Sequence, residues 1–387
     1  MKNAIVTSWV VSLSLVACAD ALWDGFHDPP HAAKPHTWYH LIDGNVSKEG
    51  ITADFEALAD IGIGGVHMFD AGLGMPTGKV EFASDEWFDI LKHAAQESKR
   101  LGLEIVVPNC SGWSSSGGPW NTPSNAMKEV VFHVARVKGP VPSFRLDRPG
   151  DPKRTQKAYG DVAVLAWPVP KAELTSFAEP KDERTENTAT LTYSEPIETS
   201  GFSYRLNHEW TWTATVRLEI LASDDGVSYR SLDFFDEIIA KSGTSDPEIR
   251  FHAFPKKVRA RHFRLVLTTP YPFRHENPRA KIGEFRMEKI MRIADLKAKR
   301  FAIRLESPRT VAEATPDQIV DVSAVRDLTD ALQPDGTVVA ALPEGDWRVM
   351  RVGWTYLDWC NGPATRCGLG LEVDKLDGKT LDFHFEQ

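Results

Sequence analysis

Eight residues stand out because each follows, or lies within, a stretch where extended chain gives way to a turn: Asp43, Asn45, Asp70, Asn109, Trp113, Trp120, Glu372 and Asp374. Asp70 comes directly after Val66-His67-Met68-Phe69, and Asn109 directly after a second apolar run ending at Pro108. An amide such as Asn45 or Asn109 offers a donor and an acceptor to neighbouring hydroxyls. Glu372 and Asp374 alternate with Leu371 and Val373, which aims both carboxylates to one side of an extended segment. Trp113 and Trp120 flank Ser114-Ser115-Ser116-Gly117-Gly118-Pro119. Such a loop either lets backbone come close to a ligand while indoles stack on it, or is pinned to the core by its two Trp. Carboxylates, amides and indoles at strand ends suit a polyhydroxylated ligand. Asp43 reads as a turn former or a ligand contact, because Gly44 beside it tolerates the positive φ of a tight turn.

Other chemistries fit less well. The Ser- and Gly-rich loop is followed by no Gly-Lys-Ser/Thr, so it is not a phosphate cradle. Ser111 and Ser114 lack the Gly-x-Ser-x-Gly setting of an activated serine. His67 alternates with apolar neighbours and reads as a satisfied interior residue. His27, His31 and His36 are spaced too irregularly for a metal site, and no C-x-x-C accompanies Cys110, Cys360 and Cys367. Six residues separate Cys360 from Cys367, including Gly362 and Pro363, so a small disulfide-closed loop is one reading.

The elements that would position these groups alternate in period. Residues 37–42 read as a strand, and Ser47 caps a helix whose Ile51, Phe55 and Leu58 form one stripe. Gly62 ends it, and a second strand runs over 65–69. Ser84 caps the next helix, Asp85 and Glu86 suit its positive end, and Trp87, Ile90, Leu91, Ala94 and Leu101 make its buried face. Lys99, Arg100 and Gly102 mark its stop, before a third strand over 103–107. Strand, helix, strand, helix, strand implies parallel pairing through right-handed crossovers.

Beyond Met127 the helical period fades, and short alternating runs separated by Pro, Gly and Asp predict a β-rich region over 129–345. Within it Val216–Ser223, an Asp224-Asp225-Gly226 turn and the chain from Tyr229 read as a hairpin. With 260–267 this looks like a galactose-binding type of jelly roll. The charged run 171–186 reads as an exposed connection. Trp347–Thr355 is a strong strand pattern, and 370–376 leads into a helix start.

A chain of 387 residues that is 42% apolar has enough material for two or more cores. Its net charge of -9, without clustered Lys and Arg, argues against a nucleic-acid partner. Lys2, the apolar or small residues 4–17 and Ala19-Asp20-Ala21 predict a cleaved export signal over 1–21, too short to span a bilayer. Leu15-Val16-Ala17-Cys18 also resembles a lipoprotein signal, which would leave Cys18 acylated and make a lipid anchor the only membrane attachment.

The run Trp38–Asp54, then Gly62-Ile63-Gly64-Gly65-Val66 with Phe69-Asp70, then Asn109–Trp120, resembles the α-L-rhamnosidase-like glycoside hydrolases of family 106. Gly370–Leu376 is similar to a further block of that family. The resemblance implies an exported enzyme that removes terminal rhamnosyl groups from oligo- or polysaccharides with inversion, and calcium as a cation. It implies an α/β plus β fold, a partial (β/α)8-type barrel interrupted by a β-sandwich, jelly-roll-like insert. On that plan 22–128 hold the first barrel units, 129–345 the insert and 346–387 a truncated return to the barrel, so the chain would be the amino-terminal portion of a longer catalytic domain. The paired catalytic glutamates of the family are not transferred to any residue of this chain. Asp70, Asn109, Trp113, Trp120, Asn45 and Glu372 are then expected to bind sugar, and Asp374 to hold calcium. Glu372 and Asp374 serve equally as helix caps. The alternative is a non-catalytic carbohydrate-binding protein of the cell surface.

Overall fold

The computed structural model describes residues 22–208, 214–239, 249–269, 280–292 and 313–387, so the expected export signal and Cys18 lie outside the described residues. The described residues form two compact units, those within 1–128, 151–159 and 355–387 and those within 129–150 and 160–354.

In the first unit β1 (His36–Ile42), β2 (Gly65–Ala71) and β3 (Glu104–Val106) make a parallel sheet in the order β1-β2-β3. The connections carry α1 (Lys48–Asp60) and α2 (Asp85–Leu101). Both helices start where sequence chemistry dictates: Ser47 Oγ accepts the Gly50 amide at 3.1 Å and Ser84 Oγ the Trp87 amide at 3.2 Å. Gly102, at φ 71°, takes the left-handed conformation that stops α2. Ile51 and Phe55 of α1 and Ile90 and Ala94 of α2 pack against Leu41, Val66 and Met68.

Because side chains alternate along a strand, the residues between these core positions face the other way. They are His36, Trp38 and His40 on β1, His67 and Phe69 on β2, and Glu104 and Val106 on β3. Trp38 is 63% and Val106 44% exposed. Among the described residues the sheet is therefore covered by helices on one face only. Helix α3 (Gly378–Phe385), capped by Asp377, closes this unit's share of the chain.

The second unit is built on antiparallel pairings. Its largest sheet joins β7 (Lys181–Arg184), β8 (Thr188–His208), β9 (Ala214–Ser223), β10 (Arg230–Ile239), β11 (Arg250–Thr268) and β12 (Ala280–Glu288), in the order β10-β9-β11-β8-β12 with β7 on β8. Phe202, Leu218, Ile220, Phe254, Phe263 and Leu265 anchor its core. The hairpin expected around Asp224-Asp225-Gly226 is β9 and β10, with Gly226 at φ 76°, and the expected strand over 260–267 lies in β11. The charged run over 171–186 contains β7, whose four side chains are all exposed, as suits an edge strand that must not recruit another. β13 (Arg326–Asp327), β6 (Tyr159–Pro168), β15 (Leu342–Tyr356) and β4 (Lys128–Val141) form a four-stranded sheet in that order, and β5 (Phe144–Arg145) pairs with β14 (Thr337–Val338).

This arrangement overturns the partial (β/α)8-type barrel. Strand outweighs helix about two to one, the pairings outside β1–β3 are antiparallel, and the strand-helix alternation stops after β3. The strand read as a return to the barrel, Trp347–Thr355, is inside β15 and pairs within the four-stranded sheet. The reason is visible in its composition. Trp347, Val349, Arg351 and Gly353 are buried while Arg348, Met350, Val352 and Trp354 are half-buried. That two-sided alternation suits an antiparallel sheet, whereas a strand covered on both faces reads as a continuous apolar run.

Removing the α2 cap tests the local account. Ser84→Ala leaves the Trp87 amide without its acceptor and should cost about 1 kcal/mol, read from urea unfolding followed at 222 nm. No loss would show that tertiary packing alone sets the start of α2.

Candidate functional site

The carboxyl end of the parallel sheet is built around a buried acid. Asp70, expected at a strand tip, lies within β2 opposite Leu41 and is 4% exposed. Its Oδ1 accepts hydrogen bonds from Ser111 Oγ and, at 2.9 Å, from Thr365 Oγ1. Ser111 Oγ in turn accepts the Thr365 amide at 3.0 Å, and the Gly112 amide donates to the Asp70 carbonyl at 2.7 Å. Burial pushes the Asp70 carboxyl above the usual carboxylate range, and the hydroxyls of Ser111 and Thr365 pull the other way.

Beside it Asn361, fully buried, uses its whole amide. Nδ2 donates to the carbonyls of Ser111 at 2.7 Å and Gly368 at 2.8 Å, and Oδ1 accepts the Gly370 amide at 2.8 Å. The loop over 109–120 and the segment 361–370 are thereby locked together at backbone distance. A Cβ on Gly112 would fall 1.7 Å from the Asn361 carbonyl oxygen, and one on Gly370 would fall 1.8 Å from that of Gly118. The glycines expected to admit a ligand instead admit the chain itself.

The other candidates divide sharply. Glu372 is buried, accepts a hydrogen bond from Ser116 Oγ and has Lys375 Nζ 3.6 Å away. Asp374 pairs with Lys128 Nζ at 2.6 Å and accepts the Leu376 amide at 3.1 Å, so both of its oxygens are engaged. An ammonium group and a backbone amide are not the surroundings of a cation ligand. Among the described residues no three His, Cys, Asp or Glu side chains gather as a metal site. The residues present do not fit calcium at Asp374.

Asp43, at φ 49°, uses Oδ2 to accept the amides of Leu73 at 3.0 Å and Met75 at 2.8 Å, and Asn45 donates to the carbonyls of Ile42 and Pro76. Both therefore tie the loop after β1 to the loop after β2. Trp120 donates its indole N–H to His384 Nδ1 at 2.9 Å and so pins α3 rather than offering a polar edge to solvent. Burial holds the His384 imidazole below its usual range. Cys360 and Cys367 are free thiols, unbonded to each other, and Cys110 is buried with its thiol on the Ser114 carbonyl.

Asn109 and Trp113 remain. Asn109 is exposed, Trp113 is 58% exposed, and neither has a hydrogen-bond partner among the described residues. They are the two expected contacts whose groups stay available to a ligand. Asn361, Thr365 and Ser116, which set the loop carrying them, were not legible in sequence, since an isolated Asn or Thr in a loop has no period to betray it.

The profile of a glycoside hydrolase family described as alpha-L-rhamnosidase, family 106, matches residues 27–387. A solved rhamnosidase from Novosphingobium sp. PP1Y superposes on 94% of this chain with a TM-score of 0.68 and 28% identity, and the match covers 37% of that protein. A Formosa agariphila protein whose beta-glucuronidase name is provisional is 45% identical over 158 residues, 41% of this chain and 13% of that protein. The chain thus spans well under half the length of either relative.

Two pH effects follow. Asp70→Asn keeps an acceptor for Ser111 and Thr365 while removing a buried charge. A raised folded-state pKa means stability present below the ordinary Asp value of 3.8 and lost as pH rises through the raised value. The variant should therefore unfold at a higher temperature than wild type at pH 7, with the gap closing towards pH 3.5; a constant gap contradicts it. His384 runs the opposite way. Its lowered pKa gives stability that is present above the ordinary 6.5 and lost as pH falls, because burial penalises the charged ring, and a ring protonated at Nδ1 cannot accept from Trp120. Melting curves between pH 7.5 and 5 should drop for wild type and stay flatter for His384→Gln.

Proposed function

Because the chain belongs to glycoside hydrolase family 106, the alpha-L-rhamnosidases, we propose that the protein hydrolyses terminal α-L-rhamnosyl linkages of oligo- or polysaccharides with inversion. The observation that carries the contribution of these residues is the exposed pair Asn109 and Trp113, held on a loop that Asp70 and Asn361 fix from beneath. An indole stacks on the apolar face of a pyranose, and an amide satisfies two vicinal hydroxyls at once. Rigid support matters because a loosely held contact spends binding free energy on its own ordering.

Inversion requires two carboxyl groups about 6.5–9.5 Å apart, one protonated and one ionised, with water between the sugar and the base. Asp70 does not suit either role, since it is 4% exposed and its Oδ1 already takes two hydroxyls. Its part is to position Ser111 and Thr365, and through them the rim. The export of the protein, on which a polysaccharide substrate depends, rests on Lys2 and the apolar residues that follow it.

Release of rhamnose from an aryl α-L-rhamnoside, compared with release of glucuronate from an aryl β-D-glucuronide, tests the reading. The rhamnoside should be the substrate, and polarimetry should show the β-anomer first. Trp113→Ala should raise KM roughly three- to tenfold with little change in kcat, as expected for lost stacking. Sugar binding that survives Asp70→Ala but fails on Trp120→Ala would favour the non-catalytic carbohydrate-binding alternative.

A further inference from the structure

The bare face of the parallel sheet carries a group of side chains that the reading above does not use. Trp38 and His40 of β1 and Phe69 of β2 lie on it, with ring centroids 5.3 Å apart for Trp38 and Phe69, and 5.8 Å for His40 with either. Register puts His40 directly beside Phe69, one residue before the Leu41 and Asp70 pair that begins the buried end. Val106, 44% exposed, continues the face onto β3.

The imidazoles on this face are not equivalent. His36 Nδ1 and His67 Nε2 are 3.3 Å apart, and Glu104 is 3.7 Å from His36 Nε2 and from His31 Nδ1. That group satisfies itself at the amino end of the strands. His40 has no hydrogen-bond partner among the described residues, and it sits half-buried between two aromatic rings at the carboxyl end. A polar group so placed, with one nitrogen donating and the other accepting, is costly to cover with an apolar partner and well matched to a hydroxyl.

We infer that Trp38, Phe69 and His40 form a sugar subsite that selects a 6-deoxyhexose, the methyl-bearing edge of the ring lying on the Trp38 and Phe69 rings while His40 hydrogen-bonds a ring hydroxyl. The inference rests on the rhamnosidase reading and names the feature of the sugar that is read. Size supports it. Three strands span about 10 Å, the width of one or two pyranose rings, whereas a stable protein interface buries about 800 Å² on each partner. A sugar also brings both the apolar edge and the hydroxyls that this mixed face requires.

The probes are L-rhamnose and L-mannose, which differ only by a hydroxyl at C6, titrated calorimetrically into the full chain. Wild type should bind L-rhamnose and bind L-mannose roughly tenfold more weakly, since the extra hydroxyl meets an apolar surface. Trp38→Ala and His40→Ala should each weaken L-rhamnose roughly tenfold, with melting curves little changed because Trp38 is 63% exposed and His40 gives up ring contacts but no hydrogen bond. His40→Gln, which keeps a donor and an acceptor, should recover most of the loss. Equal binding by all variants, equal affinity for both sugars, or no binding by wild type overturns the subsite. So does self-association abolished by Trp38→Ala without any sugar effect, which would make the face a contact between copies. Rhamnose release that ignores both substitutions removes the subsite and leaves the rhamnosidase reading standing. Trp38- and His40-dependent binding with no turnover of any rhamnoside does the reverse.

Discussion

A carboxyl group buried to 4% exposure has to be met by donors from the fold itself, and the first unit is arranged around meeting it. The two hydroxyls on Asp70 Oδ1 come from Ser111, just after the third strand, and from Thr365, 254 positions further along the chain than Ser111. Neither segment has regular structure of its own to hold it there. Asn361 completes the tie by spending both amide hydrogens and its oxygen on backbone groups of the same two segments. Such a network gains from being complete, because each member left unpaired in this environment costs more than the bond it would have made contributes.

The exposed rim follows from that knot. Gly112 and Gly370 are where one backbone passes against another, and no side chain fits at either place. Asn109 and Trp113 project from a loop that has little freedom left. Asp43 and Asn45 stitch the neighbouring loops by their side chains, and Trp120 holds α3 through His384. Most polar residues at the strand ends are thus structural, and the few without partners are the functional candidates by contrast.

A second constraint concerns the sheet itself. Parallel sheets ordinarily have both faces covered, and this one has helices on a single face. The other is tolerable in water because it is not uniformly apolar: Trp38, His40 and Phe69 alternate with residues of the helical core, and His36, His67 and Glu104 give its amino end charge and hydrogen bonds. That mixture of ring surface and imidazole is what gives the face a chemistry beyond packing.

Local order was legible from residue types alone. The caps at Ser47 and Ser84, the stop at Gly102 and the turn of the β9–β10 hairpin rest on interactions within a few residues, and the parallel order of three strands follows from the alternation of strand and helix. The alternation His36, Trp38, His40 was readable in the same way, as one face of a strand. Tertiary structure decided what depends on partners far away in the chain. It drew Asp70 inward, gave Asp374 to Lys128 and Trp120 to His384, and placed Trp347–Thr355 in an antiparallel sheet instead of a barrel. The physical reason is that a carboxylate, an indole or an amphipathic strand has one local signature whether it meets solvent, a ligand or another segment, and only the fold selects which.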